Sequence, residues 1–425
     1  MRTSNSETEY ALLKRITPGG VSSPVRAFKP YPIVMESGQG CRVTDIDGNT
    51  YIDLCMAYGP LILGHSDPRV AKAVRDQTKK GSVFGCPSHP ETQLLEKITS
   101  TVPSAAMCRL QNSGTEATMH AIRTARGFTG RNGIVKLNGG FHGAHNTVLV
   151  AAGSGSADST PSSLGVPPED VKNTYLVEYN DAGQFESLLD KNEDIAGIIM
   201  EPVMGNVGVV TPEKGYLQDM RKITKEHGAV LIFDEVITGF RLGPKSAQGR
   251  YGVTPDMTTM GKIIGGGYPA GAFMGREDIM SMVAPQGPVY VAGTFSGNPI
   301  SAAAGLETIT LMSERGRYDS LEKMTQGLVA SMRDRLEDSG VRGCINSVAS
   351  MFSVFFGVDE VRNGAEAQKI DRAMFGKMFE YMLRHGIYMA PGAMEVSFLS
   401  TAHDDEACTK ISECFGDFLG KVKAE

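Results

Sequence analysis

Three short stretches of this 425-residue chain set reactive side chains where backbone geometry makes them useful. In the first, Asn112-Ser113-Gly114-Thr115-Glu116 precedes a helical run with Ala117, Ala121 and Ala125 on one stripe. Ser113 and Glu116 have the S-x-x-E spacing of a capping box, and Ser113, Gly114 and Thr115 bring hydroxyls and free backbone N–H groups to a helix N-terminus. The positive end of the helix dipole favours an anion there, so a phosphate fits, although a plain capped helix carries the same signature. In the second, Leu231-Ile232-Phe233-Asp234-Glu235-Val236, a carboxylate ends an apolar strand, at the edge where open α/β sheets bind ligands. Asp234 placed there needs a cationic partner or serves as a turn cap. In the third, Lys262 stands between Gly261 and the turn Gly265-Gly266-Gly267, again at the end of a β-like run.

A phosphate cradle, a strand-end acid and a strand-end lysine form a set that one cofactor explains. Pyridoxal phosphate needs a phosphate site, an acidic partner for its pyridinium nitrogen and a lysine for a Schiff base. Its ring also needs apolar cover on both faces, and Phe141, in Gly139-Gly140-Phe141-His142-Gly143, and Val236 are candidates. No metal site is expected: the seven cysteines are scattered, with no C-x-x-C pair or Cys/His cluster of ligand spacing, and read as buried free thiols.

The elements that must hold these residues follow from periodicity. A helix over 7–16, irregular Pro/Gly-rich chain, and strands at Ile33–Met35, Cys41–Thr44 and Tyr51–Leu54 begin the chain. Helices are predicted over Pro68–Lys80 and Pro90–Val102. Strands follow at Ile134–Leu137, Ala196–Met200, Val230–Phe233 and Asp256–Thr259, short apolar runs of the kind covered on both faces of a parallel sheet. Between two of them, Tyr216, Met220, Ile223 and His227 mark a helix opened by Pro212 and ended by Gly228. After residue 313 the pattern becomes α+β, with a helix over Tyr318–Ser339, a strand over Met351–Phe356, a Met-faced helix over Ala365–His385, a short strand Ile387–Met389 and a terminal helix from Asp405. The chain therefore reads as α/β: an N-terminal segment (1–55), a large unit with a mostly parallel sheet between helices (56–312), and a smaller α+β unit (313–425) to which both chain ends contribute.

Composition narrows the partners. Forty-two Lys and Arg against 48 Asp and Glu leave a net charge of −6 with no basic block, which argues against nucleic acid. No apolar run reaches the roughly 18–20 residues that span a bilayer, and the first 15 residues lack the pattern of a signal peptide. The expectation is a cytoplasmic protein with no membrane partner.

The motifs NSGTEA, the glycine-rich segment ending GFHG, EPVMGN, FDEVITGFR, GKIIGGG and TFSGNP occur in the order that resembles the class III aminotransferases, pyridoxal phosphate enzymes of fold-type I. The resemblance covers nearly the whole chain. TPGGVSSPVRAF, AYGPLILGH, the GSGSADSTPSSLGVP loop and FLSTAHDDE place it beside the branch of that family whose members act as aminomutases on glutamate-1-semialdehyde.

That resemblance implies roles. Lys262 would carry the Schiff-base link to the cofactor and, when freed, move protons; Asp234 would pair with the pyridinium nitrogen. Ser113, Gly114 and Thr115 would hold the phosphate, joined by Thr294 from the neighbouring subunit of a homodimer. Phe141 would stack on one ring face with His142 beside it, Val236 would cover the other, and Asn206 would lie near the phenolic oxygen. Ser23, Arg26, Tyr58, Ser154 and Glu395 match substrate-pocket positions, and residues 153–168 match a lid. Phe141 stands where the family often has Tyr, and Tyr58 where bacterial relatives usually carry Trp. Asn206 replaces the Glu of ordinary ω-aminotransferases, which favours the mutase. The implied reaction is intramolecular amino transfer from the pyridoxamine phosphate form through a diaminovalerate, giving 5-aminolevulinate for tetrapyrrole (porphyrin) synthesis. The alternative is an ω-aminotransferase or amino-acid racemase on the same fold.

Overall fold

The computed structural model describes residues 2–151 and 160–424. Its strands in chain order are β1 (Met35–Gln39), β2 (Arg42–Asp45), β3 (Thr50–Asp53), β4 (Met107–Gln111), β5 (Gly133–Leu137), β6 (Val150–Ala151), β7 (Thr160–Pro161) and β8 (Thr174–Val177). They continue with β9 (Ile195–Met200), β10 (Val230–Asp234), β11 (Met257–Gly261), β12 (Gly271–Gly275), β13 (Gly343–Val348), β14 (Met351–Phe356), β15 (Ile387–Tyr388) and β16 (Ser397–Phe398).

Seven of these form one sheet in the order β4-β12-β11-β10-β9-β5-β8, with β12 antiparallel to both of its neighbours and the other pairs parallel. The uninterrupted apolar run of β10 has a direct cause. Val230 and Ile232 pack on one face against Ala117, Ala121 and Ala125 of the helix Gly114–Thr129, while Leu231 and Phe233 pack on the other against Tyr216, Met220 and Ile223 of the helix Tyr216–Glu226. Both faces are dry, so alternation with polar residues would bury unpaired groups. The three alanines let the helix lie close to the sheet.

A second sheet of three antiparallel strands, β13-β14-β16, is covered by the helices Arg317–Ser339 and Asp405–Ala424. On β14, Phe352, Val354 and Phe356 face these helices while Phe355 joins the core beside the large sheet, which ties the two layers together. A third sheet, β1-β2-β3-β15, pairs β15 in parallel with β3 and so joins the two ends of the chain.

Several boundaries differ from the sequence-based expectation. The first strand runs over Met35–Gln39, leaving Ile33 and Val34 outside, because the Gly40 turn sets its pairing with β2. The helix expected to open at Pro212 begins at Tyr216, after Gly215 takes a left-handed φ of 92°. The helix expected over Ala365–His385 is two, Gly364–Ala367 and Arg372–Arg384, the second restarted by the Asp371 carboxylate accepting from the Met374 N–H. The helix Pro299–Met312 was not marked by periodicity, because it is apolar nearly all round and packs among other helices.

Candidate active site

The side chains expected at the cofactor, Thr294 apart, meet at the C-terminal edge of the parallel strands. Asp234 ends β10, Lys262 follows β11, Ser113 and Gly114 follow β4, Phe141 and His142 follow β5, and Glu201 and Asn206 follow β9. Together they line a cavity of ≈ 240 Å³, which Thr115, Thr118, Gly143, Val236 and Ile237 complete. A crevice outside the carboxyl ends of the strands is where open α/β sheets bind ligands.

Ser113 caps the helix Gly114–Thr129 by accepting from the Glu116 N–H at 3.1 Å, and Glu116 Oε2 accepts in return from the Asn112 N–H at 2.8 Å. Among the described residues nothing accepts the N–H groups of Gly114 and Thr115, which leaves two donors at the positive end of a 16-residue helix. The floor is closely fitted: a Cβ at Gly114 would lie 3.0 Å from Val236 Cγ1, and one at Gly143 would lie 2.6 Å from Thr115 Oγ1. A glycine at each position lets Val236 and Thr115 pack this closely against the floor.

Asp234 is 4% exposed. Its Oδ2 lies 2.7 Å from Nδ1 of the buried His142, and its Oδ1 accepts from the Val236 N–H and from Thr259 Oγ1, each at 3.1 Å. A carboxylate only accepts, so His142 Nδ1 carries the hydrogen. The acid is thereby fixed from behind with its orientation set.

Lys262 follows β11 with φ 49°, a left-handed turn that aims its stem into the cavity. Burial lowers its amine to about 8, against the opposing pull of Glu201, Glu395 and Asp234. A neutral amine is thus available near physiological pH. Glu395 is half-buried, and burial raises its carboxyl while Lys262 draws it down.

Glu201 was not singled out in the sequence. Its carboxylate accepts from the Phe141 N–H at 3.2 Å, the Gly205 N–H at 2.8 Å and Asn206 Nδ2 at 2.9 Å, so it positions two of the expected site residues. Burial raises its pKa, opposed by His142 and these hydrogen bonds. The clue in the sequence was its place directly after an apolar strand, the same signature as Asp234. Phe141 stands exposed at the cavity, and Val236 lies opposite the Gly114 floor.

Ser23, Arg26, Tyr58 and Glu395, expected in the substrate pocket, are not among the residues lining this cavity. Met56, Ala57 and Tyr58 all have left-handed φ, of 44°, 55° and 65°, and the Tyr58 hydroxyl donates to the Val25 carbonyl at 2.7 Å. Ser23 opens the short turn Pro24–Arg26, where Arg26 is exposed, and the charges of Arg26 and Glu395 both act on Tyr58. Thr294 does not line this cavity. It lies exposed in a separate cleft of ≈ 490 Å³ with Phe84, Cys86 and Phe295. Ser154 and much of the expected lid lie outside the described residues.

The residues fit pyridoxal phosphate on the structure's own terms: unpartnered helix N–H groups at a floor of glycine, a buried acid, and a lysine of lowered pKa on one cavity. The pattern of the family described as Aminotransferase class-III matches residues 25–415. Among curated proteins, glutamate-1-semialdehyde 2,1-aminomutase of Methanothrix thermoacetophila is 50% identical, covering 99% of this chain and 97% of that protein. The Archaeoglobus fulgidus protein of the same name is 48% identical, covering 99% and 100%. Among solved structures, an omega-transaminase from Sphaerobacter thermophilus superposes with a TM-score of 0.93 at 32% identity, covering 98% of this chain and 97% of the other. A glutamate-1-semialdehyde-aminomutase variant from Pseudomonas aeruginosa in complex with PMP gives 0.90 at 26%, covering 98% and 94%. Strand-end chemistry, glycine floor and near-complete matches agree, and this chain belongs to the class III aminotransferase family.

Proposed function

We propose that the protein is a pyridoxal phosphate-dependent glutamate-1-semialdehyde 2,1-aminomutase, converting its substrate to 5-aminolevulinate for tetrapyrrole synthesis. The observation that carries the reading is the convergence of Lys262, Asp234 and the Ser113–Thr115 cradle on one cavity, in a chain 46–50% identical to aminomutases over nearly its whole length. The reaction moves the amino group from carbon 2 to carbon 1 and the carbonyl oxygen's place from carbon 1 to carbon 2. Substrate and product are isomers, so no second amino acid is consumed.

The cofactor, when bound, supplies an electron sink for the carbon losing its proton. The chain's residues do the rest. Ser113, Gly114 and Thr115 would hold the phosphate, Phe141 and Val236 would cover the ring, Asn206 would serve the phenolic oxygen, and Asp234, held by His142, would pair with the pyridinium nitrogen. Lys262 carries the proton between carbons, a task suited to an amine near 8. Arg26, with its planar fork, receives the substrate carboxylate, and Ser23, Tyr58, Ser154 and Glu395 shape the pocket around it.

The active unit in this reading is a homodimer in which Thr294 completes the neighbour's phosphate site. The exposed Phe84 and Phe295 beside Thr294 support it, since apolar side chains clustered at a cleft mark association surfaces. No helix among the described residues is long and apolar enough to cross a membrane, and we place the enzyme in the cytoplasm. The test is an absorbance spectrum of the purified protein. It should carry the bands of bound cofactor, and these should change on adding glutamate-1-semialdehyde; a colourless protein that takes up no cofactor would contradict the assignment.

A further inference from the structure

Arg241 is the largest of the fully buried side chains, at 1% exposure, and no carboxylate among the described residues pairs with it. Its Nη1 donates to Ser350 Oγ at 2.8 Å, its Nη2 donates to the Gly59 carbonyl, and its Cζ stands 4.8 Å over the Phe398 ring. Its Nε is buried without a partner. Taking a guanidinium out of water with only neutral partners is costly, and an apolar side chain of similar volume would fill the space more cheaply. Burial pulls its pKa down, yet a guanidinium stays charged in proteins.

One of the groups it holds, Gly59, lies beside the lysine stem. A Cβ on Gly59 would lie 3.3 Å from Lys262 Cδ and 3.5 Å from the Phe398 ring, so the lysine stem and the ring both border the space that Gly59 leaves open. Gly59 also ends the left-handed turn that carries Tyr58. That turn is pinned at its start by Asp53, which accepts from the Cys55 and Met56 N–H groups at 2.8 and 3.0 Å and pairs with His65 at 2.7 Å. Arg241 is the matching anchor at its end.

We propose that Arg241 is a positioning residue for Lys262, fixing the Cys55–Gly59 turn beside the lysine stem and setting a buried positive charge behind that turn. The inference rests on Lys262 being the reactive amine. The charged groups facing that amine are Glu201 after β9, Asp234 at the end of β10, Glu395 before β16 and Arg241 in the loop after β10. The three acids favour its protonated form; Arg241 opposes them.

The test is competitive labelling of Lys262 by an amine-reactive anhydride across pH, read by mass spectrometry on the full-length cofactor-free chain, with kcat measured on the holoenzyme. Arg241→Gln removes the cation, and the labelling midpoint should rise by on the order of 0.5–1 pH unit. Arg241→Lys keeps the charge but loses the two-armed grip. Its midpoint should stay while kcat falls about tenfold, as a displaced reactive group requires. An unchanged midpoint in Arg241→Gln overturns the proposal; should that variant not fold, an Arg241→Lys enzyme with wild-type kcat overturns it. Because labelling needs neither cofactor nor substrate, a failed aminomutase assay leaves this result interpretable.

Discussion

Nδ1 of His142 and Oδ2 of Asp234 lie 2.7 Å apart, with both side chains almost wholly withdrawn from solvent. The acid's second oxygen is held by Thr259 and the Val236 N–H, so its carboxylate is oriented by three protein groups. In the reading we propose, the acid that would face the cofactor nitrogen is thus oriented before any ligand arrives.

Replacing His142 with Phe keeps a ring in the space and removes the hydrogen bond. A bond to a charged group contributes about 1.5–3 kcal/mol, so cofactor affinity should fall roughly ten- to a hundredfold. His142→Asn, whose amide nitrogen can reach near the Nδ1 position, should recover part of the loss. Titration of the cofactor-free chain with pyridoxal phosphate measures both; equal affinity in His142→Phe and wild type would show that Asp234 needs no support from behind.

Glu201 accepts from two backbone N–H groups and from Asn206 inside the protein. Glu201→Ala would strand these donors, and even after relief of the carboxylate's own desolvation the net cost should be about 2–4 kcal/mol. A lowered urea midpoint, together with weaker cofactor retention as Phe141 loses its anchor, is the expected result. Unaltered stability would show that water satisfies the donors.

How much of this was legible in the sequence differs by residue. Ser113 announced itself by its capping-box spacing at a helix start, and Asp234 and Lys262 by ending strand signals, local patterns with local causes. Glu201 carries the same strand-end signature, but its role depends on Phe141, 60 positions away, and on which way the loop after β9 folds. Arg241 was beyond reach: its partners Gly59 and Ser350 are 182 and 109 positions distant, and only the packing of β14 and β16 against the large sheet brings them together. The strand β12 was missed for a related reason, since Gly271–Gly275 has little β-branched character and owes its extended form to neighbours on both sides.

Tyr58 links the Met56–Tyr58 turn to the Pro24–Arg26 turn through its hydroxyl, which donates to the Val25 carbonyl at 2.7 Å. Tyr58→Phe removes about 0.5–1.5 kcal/mol of that link and leaves the ring in place. With Arg26 less firmly presented, KM for glutamate-1-semialdehyde should rise about two- to tenfold while kcat changes little. A fall in kcat at constant KM would assign the hydroxyl to the chemical step instead.

At the centre is the conversion of one substrate to its isomer with no outside amino donor or acceptor, Lys262 carrying the proton. Its most direct test is to mix the purified enzyme with glutamate-1-semialdehyde, with no amino donor or acceptor added, and quantify 5-aminolevulinate over many turnovers, with Lys262→Ala alongside. The account predicts sustained product from the wild type and loss of at least about a hundredfold in the variant. Product that appears only when a 2-oxo acid or second amino acid is supplied would contradict it, and would make the protein an ω-aminotransferase on the same scaffold.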